Sequence, residues 1–224
     1  KAVAAESPSF DCGKASTEIE KAICASPELS TADRVMAGAY GAVLARASKE
    51  AKDLLRADQR RWIAHISNIC QARWSKDSFG DNYRADCLAK AMRSQAEFYQ
   101  KSALIALPNP YGYLLTRQIY RSSPVEKEEL AEFFPAVRIE ENRYHQFLSP
   151  RLAKLSFPPP ISTDDQGYEK KIYFDYKIIG KHLISLHYTK YDHLGGMYAL
   201  IESEFLTVDL RNARKLAPEN IFSL

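Results

Sequence analysis

Four cysteines constrain this chain more than any other feature: Cys12, Cys24, Cys70 and Cys87 all fall within the first 87 of 224 residues. Four cysteines admit three pairings, and the simplest joins sequence neighbours, Cys12 with Cys24 and Cys70 with Cys87. Loops of that size would each contribute about 3 kcal/mol by restricting the unfolded chain. The competing arrangement is four reduced thiols buried in a cytosolic helical bundle. A zinc site fits less well, because His65 and Cys70 with a distant Cys87 match no usual ligand spacing. Disulfides persist in oxidising compartments, so the paired reading points to the periplasm or the outside of the cell. The opening KAVAAESP reads as the start of a mature exported protein after signal-peptide removal.

The residues around those cysteines pattern as helices. Thr17 followed three residues later by Glu20 is a capping-box pair, which predicts a helix from about Thr17 with Cys24 on its last turn. A strap through Phe10 and Asp11 would then bring Cys12 back beside it. Ser26 and Pro27 open a second helix, along which Leu29, Val35, Met36, Ala39, Tyr40, Val43 and Leu44 recur at helical spacing. In the third, Leu55, Trp62, Ile66 and Ile69 keep the period while Arg56, Arg60 and Arg61 face away. A fourth helix is expected from Asn82 to Leu107, through Leu88, Ala91, Met92, Phe98 and Leu104. Four helices with short connections make a small antiparallel bundle.

At LPNPYGY, Pro108 and Pro110 stop the helical pattern, which sets the expected domain boundary: residues 1–107 helical, 111–224 a sheet domain with helices. Short helices are expected after Pro124, through Glu126, Glu128, Glu129 and Glu132, and again from Asn142 to Leu155. The prolines at 158, 159 and 160 mark a connector. In YEKKIYFDYKIIG, Ile172, Phe174, Tyr176 and Ile178 share one face of a strand and Lys171, Tyr173, Asp175 and Lys177 the other. Gly180 and Lys181 suit a two-residue turn into HLISLHYTKY. A further strand is expected from Met197 to Leu210, with Asn212 in the next turn. The expected fold class is α+β: a disulfide-stapled four-helix bundle followed by an antiparallel sheet domain with helices.

Several functions are disfavoured on composition alone. No run of about 18 apolar residues occurs, so no transmembrane segment is expected. The formal net charge is only +3, and neither half concentrates the basic face that nucleic-acid binding requires. No phosphate loop or metal motif is present, and no cofactor is expected. Glu202 and Glu204 lie two apart on one strand, a spacing that invites comparison with paired-carboxylate hydrolases. The chain offers no matching acid cluster, however, and Asp192 beside His193 lacks a nucleophile. A non-enzyme is therefore expected.

The segments FDCGKASTEIEKAICASPELSTADRVMAGAY and LRADQRRWIAHISNIC, with Cys87 and Leu88, resemble the LprI-type lysozyme-inhibitor family. The four cysteine positions and the Gln59–Trp62 pair carry that resemblance. The family favours leucine where Ala32 stands and arginines near Ile66 and Gln95. The stretch YDHLGGMYALIESEFLTVDLRNARKLAPENIF resembles the sheet domain of lysozyme-sensing anti-sigma factors and of some peptidoglycan deacetylases. There the family shows a double glycine, a strand ending in Asp-Leu and a turn glycine, which here is Ala213; its members usually continue with another helix beyond the equivalent of Leu224.

Both resemblances imply a protein that meets lysozyme or another peptidoglycan-cleaving hydrolase. The expected role is an exported inhibitor that occludes the hydrolase's cleft, as an immunity protein where the target is a competitor's toxin. The alternative is a peptidoglycan-binding or wall-sensing module that does not inhibit. An occluding protein needs a rigid projection with aromatic side chains. YTKYDHLGGMY supplies the expected contacts: Tyr188, Tyr191, His193 and Tyr198, with Gly195 and Gly196 shaping the bend. Arg56, Arg60 and Arg61 are expected to form a solvated helix face.

Overall fold

A computed structural model describes residues 7–72, 81–101, 104–123, 138–157, 169–193, 198–217 and 219. The expected helix through Glu126 to Glu132, the connector at residues 158–160, and Gly195 and Gly196 lie outside the described residues.

Four helices come first: α1 (Glu18–Ala25), α2 (Pro27–Arg46), α3 (Lys49–Ala72) and α4 (Asp81–Lys101). The start of α1 is fixed by the reciprocal bonds its sequence announced. The Glu20 amide donates to Thr17 Oγ1 at 3.2 Å, and the Thr17 amide donates to Glu20 Oε2 at 2.9 Å. Ser26 caps α2 in the same manner, accepting from the Leu29 amide at 3.3 Å, with Pro27 in the first turn. Both local disulfides are present, with Cα atoms 5.8 Å apart for Cys12–Cys24 and 5.9 Å for Cys70–Cys87. The strap before Cys12 is tied down as well: the Ser9 amide donates to Asp33 on α2 at 2.7 Å, and Phe10 packs against the apolar cluster of the bundle.

The fourth helix ends at Lys101 rather than Leu107. Leu104 already begins β1 (Leu104–Ala106), and the Leu107 amide donates to the Gly112 carbonyl at 2.8 Å. Backbone bonds to the next strand outcompete continued helix, because Pro108 and Pro110 could not have extended it. Seven strands then form one sheet in sequence order: β1, β2 (Tyr113–Ser123), β3 (Arg138–Phe147), β4 (Glu169–Ile179), β5 (Leu183–His193), β6 (Leu200–Asp209) and β7 (Arg214–Leu216). All neighbours are antiparallel except β3 and β4, which pair in parallel over Ile139–Asn142 and Glu169–Ile172.

The helix expected from Asn142 to Leu155 is instead the second half of β3, followed by a single helical turn at Ala153–Leu155. Pairing with Leu114–Ser123 of β2 decides the matter, since it gives the β3 backbone ladder partners while Tyr144, His145 and Phe147 are buried. The β4–β5 connection has three residues, Gly180 to His182, between the paired Ile179 and Leu183. Gly180 takes φ +60°, a left-handed conformation that glycine adopts without penalty. At the β6–β7 turn Ala213 holds φ +51°, while Asp209 accepts from the Arg211 amide at 2.9 Å and from Asn212 Nδ2 at 2.6 Å.

The sheet core collects Leu114 of β2, Phe147 of β3, Ile172 of β4, Ile184, Leu186 and Tyr188 of β5 and Val208 of β6 beneath Leu152 and Leu155. A second cluster joins the two halves: Leu104 and Leu115 pack with Val43, Ala51, Leu55, Phe98 and Tyr99 of the helices. At this junction the Asp58 carboxylate is almost fully buried and accepts from Arg61 at 2.7 Å and from Arg117 of β2 at 3.3 Å. Burial pushes that carboxyl above its ordinary range, and the two guanidiniums pull it back only in part.

Candidate functional site

Even-numbered residues of β5 are buried as far as Tyr188, and Lys190 and Asp192 beyond it are half-buried. In the paired register, Tyr188 lies opposite Glu204, Lys190 opposite Glu202, and Asp192 opposite Leu200. The charged members are tied across strands: Lys190 to Glu204 at 3.2 Å and Lys170 to Asp192 at 3.9 Å. Cross-strand pairs of this kind hold a projecting ribbon in register.

On the alternate face, Tyr191 pairs with Ile201 and His187 with Phe205. The imidazole of His187 stacks on the Phe205 ring with centroids 4.3 Å apart. Ile201 and Phe205 are nonetheless 67% and 70% exposed, Leu200 is 61% exposed and Tyr198 84%. Ile201 and Phe205 share one face of β6, and Leu200, opposite Asp192, lies on the other. Among the described residues, β7 pairs only with Thr207, Val208 and Asp209, so the outer edge of the first part of β6 has no strand beside it.

The expected contact residues divide between this projection and the interior. Tyr198 is fully presented, and Tyr191 and His193 are half-buried on the ribbon, with the Lys171 ammonium 5.7 Å from the Tyr191 ring centroid. Tyr188 is a core residue and not a contact. It is fully buried, and its hydroxyl meets His145 Nδ1. Because His145 Nε2 lies 3.1 Å from the Leu155 carbonyl, which can only accept, Nε2 carries the proton and Tyr188 donates to Nδ1. Burial holds His145 uncharged, lowering it to about 4. The position was readable: Tyr188 shares parity with Ile184 and Leu186. Leu200, Ile201 and Phe205 were missed because period-two patterning assigns faces without saying which face is covered.

The paired acids give no hydrolase geometry. Glu202 and Glu204 flank Lys190, to which Glu204 is bonded, and both are exposed. Of the three arginines on α3, Arg61 reaches the buried Asp58 and Arg56 pairs with Asp53 at 3.2 Å.

A second concave feature lies where α3 and α4 meet β2 and β3, a cleft of about 380 Å³. Trp62, Ile66 and Tyr120 contribute apolar walls, while Asp86, Lys90 and Glu141 add charge. His65 lines it too, stacked on the Tyr120 ring at 4.5 Å. Beneath it runs a buried polar chain in which the Tyr120 hydroxyl donates to Gln95 Oε1 at 3.2 Å. Gln95 Nε2 in turn donates to the Tyr99 hydroxyl at 3.0 Å, and Tyr99 donates to Gln59.

No curated protein matches this chain. Among solved structures, the crystal structure of a DUF3298 family protein from Pseudomonas aeruginosa PAO1 is similar at 17% identity, over 48% of this chain and 56% of that one, with a TM-score of 0.31. This chain thus spans little more than half the length of that structure. Residues 12–98, which hold all four cysteines, α1 to α3 and most of α4, match the family model described as Lysozyme inhibitor LprI.

Proposed function

We propose that this protein is an extracytoplasmic inhibitor of a lysozyme or related peptidoglycan-cleaving hydrolase, and that the end of the β5–β6 ribbon caps the hydrolase's active-site cleft. The observation that carries the reading is the match of residues 12–98 to a family described as a lysozyme inhibitor. Two disulfides support an oxidising compartment, and among the described residues no helix is long and apolar enough to cross a membrane.

The ribbon has the physical properties that occlusion needs. A glycosidase holds its two catalytic carboxylates in a groove open to a sugar chain. A blocker must fill that groove without first losing much conformational freedom. Here β5 is hydrogen-bonded on both sides and Lys190 is tied to Glu204, so Ile201 and Phe205 are displayed on an ordered frame. Tyrosine and other large rings at the centre of an interface supply most of its energy.

Titration into a turbidity assay of wall lysis tests the proposal. Dose-dependent protection against at least one lysozyme type supports it. Normal clearing by every lysozyme type and by an amidase, at micromolar protein, removes the inhibitor reading. Accelerated clearing would instead make the protein a hydrolase.

A further inference from the structure

We infer that the free edge of β6, from Leu200 to Leu206, takes up an extended segment of a partner protein as a further strand of the sheet, a segment in which basic and apolar residues alternate. Such capture goes beyond hydrolase inhibition, since the edge serves a partner of any activity.

The backbone selects a polypeptide. The Leu210 amide donates to the His182 carbonyl at 2.7 Å, one step beyond the pairing of Leu183 with Asp209. Bonded and non-bonded pairs alternate along an antiparallel ladder, so even-numbered residues of β6 turn their backbone groups to β5 and odd-numbered ones turn theirs outward. β7 takes up Thr207 and Asp209. Ile201, Ser203 and Phe205 are left, and among the described residues no strand lies beside them. Sheets commonly blunt an open edge with proline, lysine or a bulge. LIESEFL carries neither proline nor lysine, and its register against β5 runs unbroken from Leu200 to Asp209.

The side chains select which polypeptide. Glu202 and Glu204 lie on one face of the edge and Ile201 and Phe205 on the other, all four exposed. A second copy of the chain fits badly. Two-fold pairing of β6 with β6 centred on Glu202, Ser203 or Glu204 sets glutamate directly opposite glutamate in each case, and opposed like charges destabilise a sheet. Lys190 answers only Glu204, at 3.2 Å, and Lys170 lies against Asp192. Lysine or arginine opposite the glutamates, with apolar side chains opposite Ile201 and Phe205, completes both faces. In strand addition the main chain supplies affinity and the alternate side chains supply specificity.

Equilibrium titration of the full chain with a seven-residue peptide alternating valine and lysine tests the edge, with no hydrolase present. Binding should saturate. Methylating the valine amides, which would face β6, should weaken it at least tenfold, whereas methylating the lysine amides, which would face away, should change it less than threefold. Glutamate in place of lysine should weaken the peptide at least tenfold. Ser203→Pro, which deletes an outward amide and no bond to β5, should do the same in protein whose thermal melt shows it folded; if that variant does not fold, the methylated peptides carry the test. Absence of saturable binding at millimolar peptide, indifference to methylation of the valine amides, or equal binding of the glutamate peptide would each overturn the inference. Dimerisation of the protein alone, abolished by Ser203→Pro, would make a second copy the occupant and overturn it as well.

Discussion

Tyr188 donates its phenolic proton to a histidine that no solvent reaches, and the pair anchors β5 to β3 across the sheet core. Replacing Tyr188 by phenylalanine keeps the ring packing and orphans His145 Nδ1. The expected loss is about 1–3 kcal/mol of folding stability, read by chemical denaturation, with hydrolase inhibition unchanged. Tyr198 should behave in the opposite way. It is 84% exposed, so its removal should leave the melt where it was and weaken inhibition, as expected for an interface tyrosine. Titration follows from the same side chains. Burial lowers His65 and His145 to about 4 from an ordinary 6.5, so as the pH falls the unfolded chain takes up protons before the folded one. Their contribution is therefore complete above about pH 6.5 and declines between 6.5 and 4. Glu20 adds a more acid step: backbone hydrogen bonds at the α1 cap hold it at about 2 against an ordinary 4.5, so its contribution is lost as pH falls through that interval. Denaturation midpoints at pH 7.5, 5 and 3 should decrease in that order, and a flat profile from 7.5 to 5 would contradict the neutral assignment of both histidines.

Among the elements, the first three helices were legible because their signals are local. A capping box, a proline in a first turn and a cysteine on a last turn each act within a few residues. The disulfides followed from the same helices, and reducing them should cost about 3 kcal/mol per loop, seen as a lower denaturation midpoint with reductant present. What the sequence did not disclose depends on distant partners. Residues 142–147 carry enough apolar spacing to suit a helix, and only the ladder offered by β2 makes them strand. The parallel pairing of β3 with β4 likewise has no local signature. The Asp58–Arg117 bridge, which ties α3 to β2, is another such feature. Asp58→Ala leaves the Arg117 guanidinium buried without its carboxylate and should destabilise by about 3–5 kcal/mol. Adding Arg117→Met should recover part of that loss, and additive losses in the double variant would show that the two charges are not coupled.

The whole molecule places two unlike surfaces on one frame. The helical half lies against β1 and β2 through Leu104, Leu115 and the Asp58 cluster, so the cleft at that junction depends on both halves. Along β6 and just before it, Tyr198, Leu200, Ile201 and Phe205 are exposed. Of the candidate site, the sequence disclosed strands β5 and β6, whereas the exposure of Leu200, Ile201 and Phe205 depends on what packs over each face, which no local pattern states. Lysozyme inhibition by an Ile201→Lys, Phe205→Ser double variant, compared with the native chain at equal concentration, tests the central claim most directly. The account predicts an unshifted thermal melt with inhibition at least tenfold weaker, and full inhibition by the folded variant would contradict it.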